Sequence, residues 1–63
     1  MMKLNPHAIA QVWSHLCSDS VYREWPTDKQ QVMSITIAGL LLEDRVEINR
    51  ETVMRNFVQL TEE

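Results

Sequence analysis

The segment from Val32 to Leu42 constrains this chain most, because any helix it forms is apolar on two opposed faces. At about 100° per residue, Val32, Ile35, Gly39 and Leu42 group on one side, with Ala38 beside them. Met33, Ile37, Leu40 and Leu41 group on nearly the opposite side, and Lys29, Thr36 and Glu43 make a narrow polar seam between. A helix apolar on two sides must be covered on both. The chain has only 63 residues to do this, and its single cysteine, Cys17, excludes an internal disulfide. Below about 70 residues a lone core rarely yields more than about 3–5 kcal/mol without disulfides, a metal or self-association. The expectation is a homodimer with the second helix as its central layer. Met33, Ile37, Leu40 and Leu41 are buried between subunits, and the other face packs on its own chain. The alternative is a compact monomer with an exposed apolar patch.

The punctuation predicts one mainly α domain over residues 1–63. It has three short helices, at about 6–18, 28–44 and 50–61, with a short extended segment as an option at 45–48. Asn5 is placed to cap the first helix with Pro6 at N1, where a missing N–H costs nothing. Leu4 and Ile9 have the spacing of a hydrophobic staple, as do Ile48 and Val53 around a second cap, Asn49. Ile9, Val12, Trp13 and Leu16 follow at i, i+3, i+4 and i+7, and the helix should fade near Ser18-Asp19-Ser20, whose side chains compete for backbone hydrogen bonds. Val21–Trp25 reads either as a further helical turn or as an extended link, ended by Pro26. Thr27-Asp28-Lys29-Gln30 matches a capping box for the second helix. Glu51 and Arg55 form an i,i+4 pair on the third.

Composition narrows the function. A hydrophobic fraction of 44% and a charged fraction of 24% suit a folded globule rather than a disordered tail. A net charge of -3 disfavours binding to a phosphate backbone, which needs a positive surface. The single Gly excludes a glycine-rich phosphate loop. His15 and Cys17 sit at i and i+2 and point apart on a helix, so they form neither a metal pair nor a nucleophilic pair. His15 and Asp19 can meet, and His7 lies too far round the helix to join them, so no metal or cofactor is expected. The carboxylates spread along polar faces, and so short a chain hardly builds a water-excluding pocket. The reading is a non-enzyme with no small-molecule substrate. Met1–Pro6 lacks the apolar run of a signal peptide, and Val32–Leu42 is far shorter than the roughly 20 residues of a membrane span. A soluble cytoplasmic protein is therefore expected.

Tyr22, Arg23 and Trp25, in the link before Pro26, are the best candidates for an exposed recognition element, since Tyr, Trp and Arg are enriched at binding hot spots. The competing reading has the two rings capping one end of the core. A second functional reading is a small DNA-binding or transcription accessory protein. Glu51–Phe57 looks like the recognition helix of helix-turn-helix regulators, with Asn49, Arg50, Thr52 and Arg55 facing bases or phosphates. The link from Leu42 to Asn49 is longer than the usual turn and has no Gly, and the surrounding charge is negative.

Taken together, the strings Leu4-Asn5-Pro6-His7, Trp13-Ser14-His15-Leu16-Cys17 and Asn56-Phe57-Val58-Gln59-Leu60 resemble a small early protein of lambdoid bacteriophages. That protein is encoded in the interval between the exonuclease and excisionase genes. The likeness covers the full length and rests on overall sequence rather than a short motif. It implies a non-enzymatic protein made early in the cytoplasm of the infected bacterium. Proteins of that interval are thought to bias the choice between lysis and lysogeny and to touch host replication or the cell cycle. The resemblance brings no catalytic or ligand residues with it. The partner expected is a host or phage protein, besides the second copy of the chain.

Overall fold

The computed structural model describes residues 5–62. Among the described residues four helices follow in order: α1, Pro6–Leu16; α2, Ser20–Arg23; α3, Thr27–Glu43; and α4, Arg50–Thr61. There is no strand among the described residues, and the optional extended piece at 45–48 is an irregular link. The radius of gyration is 10.8 Å, close to the about 10.6 Å of a compact domain of this length.

Local chemistry sets the helix ends. The Asn5 side chain accepts from the backbone N–H groups of His7 and Ala8 at 3.0 and 3.3 Å, with Pro6 opening α1 as expected. Leu4, the other half of the first staple, lies outside the described residues. α1 stops at Leu16, two residues short of expectation. The Ser18 hydroxyl donates to the His15 carbonyl at 2.7 Å, and the Asp19 carboxylate accepts from Tyr22 N–H at 3.0 Å. Asp19 therefore caps a new turn, α2, which makes Val21–Arg23 helical rather than an extended link.

The capping box expected at Thr27 does not form. Pro26 occupies the N-cap position and has no side chain to cap with. Gln30 turns away and donates to the carbonyls of Tyr22 and Trp25 at 2.8 and 3.2 Å, fastening α2 to α3. The box appears at α4 instead. Asn49 accepts from Thr52 N–H at 3.0 Å, and the Thr52 hydroxyl accepts from Asn49 N–H at 3.1 Å. Ile48 is half-buried against the core and Val53 fully buried, where the second staple needs them.

α3 ends in a Schellman motif: Val46 N–H donates to the Leu41 carbonyl at 2.9 Å, and Arg45 N–H to the Leu42 carbonyl at 3.2 Å. The residue that must turn left-handed is Arg45, at φ 57°. Glycine usually fills this position because a Cβ is strained there.

The core is Ala8, Val12 and Leu16 of α1, Tyr22 of α2, Ile37, Ala38 and Leu41 of α3, and Val53 and Phe57 of α4. On α3 the buried arc is Ser34, Ile37, Ala38 and Leu41, at i, i+3, i+4 and i+7. This arc straddles the two faces read from the sequence. α1 and α4 both pack on it and also on each other. Small side chains at Ser34 and Ala38 leave room for close approach, so flanking helices need not sit on opposite sides of α3. On α1 the buried stripe is one residue round from expectation: Ala8 is inside, Ile9 half-buried and Trp13 exposed.

Candidate partner-binding surface

The recognition element expected in the link is largely internal. Tyr22 has no exposed surface, Trp25 is half-buried, and only Arg23 faces solvent. Tyr22, Trp25 and Phe57 form an aromatic triad with centroid separations of 5.4 to 5.9 Å, Tyr22 standing edge-on to Phe57 at 88°. Lys29 Nζ lies 4.3 Å from the Trp25 ring centre and covers its outer side. The Tyr22 hydroxyl is 2.8 Å from both the Gln30 carbonyl and Ser34 Oγ. A phenol has one proton, and a carbonyl only accepts. Tyr22 therefore donates to Gln30, and Ser34 donates to Tyr22. Burial pushes the Tyr22 pKa above its usual value, Ser34 opposes the shift and Cys17 adds to it. Tyr22 clasps α2 to α3 because its ring fills the core end while its hydroxyl reaches a serine on the buried arc.

Of the four residues expected between subunits, two lie in the core of the single chain. Ile37 is fully buried and Leu41 is 3% exposed, both in the chain's own core. Met33 packs half-buried against that core, and of the four only Leu40 is exposed. The opposite face, assigned from the sequence to intramolecular packing, is the one left open: Val32 is 64%, Ile35 38% and Leu42 41% exposed.

Beside it lies a groove of about 240 Å³ between α1 and α3, lined by Ile9, Trp13, Gln31, Ser34 and Ile35. Trp13 is 42% exposed at its edge. Sequence reasoning placed Trp13 in the core because it shares the stripe of Val12 and Leu16. The signal it missed is Ala8: a small residue four before Val12 lets α1 seat on the Ala8 side, which rolls Trp13 outward. No lining side chain ionises near neutral pH. The Ser34 hydroxyl is buried and spent on Tyr22, so the groove offers apolar contact, the Gln31 amide and the Trp13 indole N–H, and no acid, base or nucleophile of ordinary strength.

The residues named for DNA contact are partly engaged elsewhere. Asn49 and Thr52 cap α4, and the Thr52 hydroxyl donates to the Glu47 carbonyl at 2.7 Å. Arg55 pairs with Glu51 at 3.6 Å on the exposed side of α4, the i,i+4 pair read from the sequence. Arg50 is exposed. Among the described residues, no three His, Cys, Asp or Glu side chains lie close enough to share a metal ion, and no helix is long and apolar enough to cross a membrane. No family model, curated protein or solved structure matches the chain.

Proposed function

We propose that this chain is a small non-enzymatic regulatory protein that works by occupying the surface of another protein. The observation that carries the reading is the exposed apolar surface of α1 and α3. One chain closes a core with no buried side-chain polar atom left unpaired among the described residues, yet leaves Trp13, Val32, Ile35 and Leu42 open. Exposed aromatic and branched side chains around a preformed groove are the usual material of a protein contact. The chemistry of the groove lining supports binding over catalysis.

The resemblance to early proteins of lambdoid phages supports a setting in the infected bacterium's cytoplasm. There the protein would bias the choice between lysis and lysogeny, or act on host replication or the cell cycle. Homodimerisation fits the same exposed surface. Because Ile37 and Leu41 lie in the chain's own core while Val32, Ile35 and Leu42 are exposed, the outer face of α3 is the better candidate for that contact than Met33, Ile37, Leu40 and Leu41.

The test is capture from host lysate with the tagged chain as bait, repeated with Trp13→Ala and with Val58→Ala on α4. Val58 is 50% exposed and away from the groove lining. A host or phage protein retained by wild type and Val58→Ala but lost with Trp13→Ala supports the reading. Capture that depends on Val58 and ignores Trp13 refutes it.

A further inference from the structure

The outer ridge of α3 has the spacing of a two-helix seam. Val32, Ile35, Gly39 and Leu42 fall at i, i+3, i+7 and i+10, the a/d positions of a heptad. Val32, Ile35 and Leu42 are exposed, while Gly39 is buried and has no side chain. The ridge is thus a row of three exposed knobs, with no side chain standing between Ile35 and Leu42 at Gly39, whose backbone the chain itself covers.

We infer that a second copy of this chain docks on this ridge, antiparallel, about a two-fold axis level with residue 37. The inference rests on the protein-binding reading above and gives it one partner and one register. Shape selects the register. Positions 35 and 39, and positions 32 and 42, are centred on the same point of α3. An antiparallel twin therefore sets Ile35 of each copy level with Gly39 of the other, where no opposing side chain competes for the space, and Val32 beside Leu42. A parallel twin sets Ile35 against Ile35 and Gly39 against Gly39, a bulge next to a void, and both are unfavourable.

Charge selects the same orientation. Asp28, in the first turn of α3, lies on the ridge side by helical register, and Arg45 is exposed just past the other end. Antiparallel docking brings Asp28 of each copy toward Arg45 of the other, and the helix dipoles oppose favourably. Parallel docking brings Asp28 to Asp28 and Glu43 toward Glu43. The match is self-complementary in both shape and sign, as a two-fold interface requires. The seam from Val32 to Leu42 is about 15 Å long. It therefore buries less than the roughly 800 Å² per partner of a standard interface, and the dimer is weak and dissociates on dilution.

The test is pairwise cross-linking in a Cys17→Ser background, with Val32→Cys and Leu42→Cys as separate proteins. Both positions are exposed, and circular dichroism checks that the helices persist. Under mild oxidation a mixture of the two should give a cross-linked pair at least about tenfold faster than either alone, because only positions 32 and 42 face each other. Faster self-linking of Val32→Cys means parallel docking and overturns the inference, as does no gain from mixing. Sedimentation equilibrium supplies the second readout. Wild type should show concentration-dependent mass, Ile35→Lys should weaken association at least about tenfold by burying a charge, and Val58→Lys should leave it unchanged. A 7.4 kDa species at every concentration also overturns it. That result leaves the capture experiment free to succeed, so failure of this interface and failure of the protein-binding reading are distinguishable.

Discussion

Removing the Tyr22 hydroxyl probes the joint that holds α2 to α3. In Tyr22→Phe the ring still fills the core, but Ser34 loses its acceptor in a site where Ser34 is only 1% exposed. Leaving a buried hydroxyl without a partner costs about 1–3 kcal/mol. Part of this is recovered, because Ser34 can rotate to donate to the carbonyl four residues back, at Gln30. The expected loss is therefore about 1–2 kcal/mol. In a domain of this size each kcal/mol corresponds to about 4–8 °C in Tm. Ser34→Ala keeps the Tyr22 bond to Gln30 and should cost less, about 0.5–1 kcal/mol. Once Ser34 is gone, Tyr22→Phe orphans no serine. The double variant should therefore be more stable than the two losses added together, with a coupling of about 0.5–1 kcal/mol. Urea melts followed by circular dichroism, at one fixed protein concentration so that self-association does not enter, measure all four corners of the cycle. A neutral Tyr22→Phe, or losses that simply add, would refute the clasp.

Other expectations follow from single features. Tyr22 has a raised pKa in the fold, so above about pH 10 the unfolded state releases this proton first. Stability should then fall with rising pH through the folded pKa; alkaline melts should show this decline in wild type and lose most of it in Tyr22→Phe. Arg45→Gly should raise stability by about 1 kcal/mol, since Gly takes the left-handed position without strain, and an unchanged or lowered urea midpoint would count against the Schellman reading. Asn49→Ala should cost about 1–2 kcal/mol by opening the α4 capping box, read as an earlier thermal midpoint. Phe57→Ala removes a ring that touches both Tyr22 and Trp25 and should cost about 3–5 kcal/mol, enough to abolish cooperative melting in so small a chain.

The helix ends that were legible in the sequence are those set by a side chain acting on its own backbone. Asn5, Pro6 and Asn49 could be read because a cap needs only its local neighbours. Gln30 could not, because its amide goes to the carbonyls of Tyr22, in α2, and Trp25, just past it, and that helix exists only because Asp19 caps forward. The faces of α3 were half legible. The sequence showed apolar residues on too many sides, and the structure agrees that some stay uncovered. Which side closes was decided by Ser34 and Ala38, whose small volume admits two neighbours on one arc and carries little weight in a hydrophobic projection. On α1 the small Ala8 plays the corresponding part and leaves Trp13 outside. The sequence leaves Tyr22 open between an exposed recognition element and a cap on the core end, because its acceptor and donor, Gln30 and Ser34, lie eight and twelve residues away.

The surface of α1 and α3 is the centre of this account, and chemical-shift mapping tests it directly. An isotopically labelled chain, titrated with the protein captured from lysate, should show its largest changes at Ile9, Trp13, Val32 and Ile35. The α4 side around Arg50 and Arg55 should stay still. Changes concentrated on Arg50 and Arg55, with the α1–α3 groove silent, would contradict it.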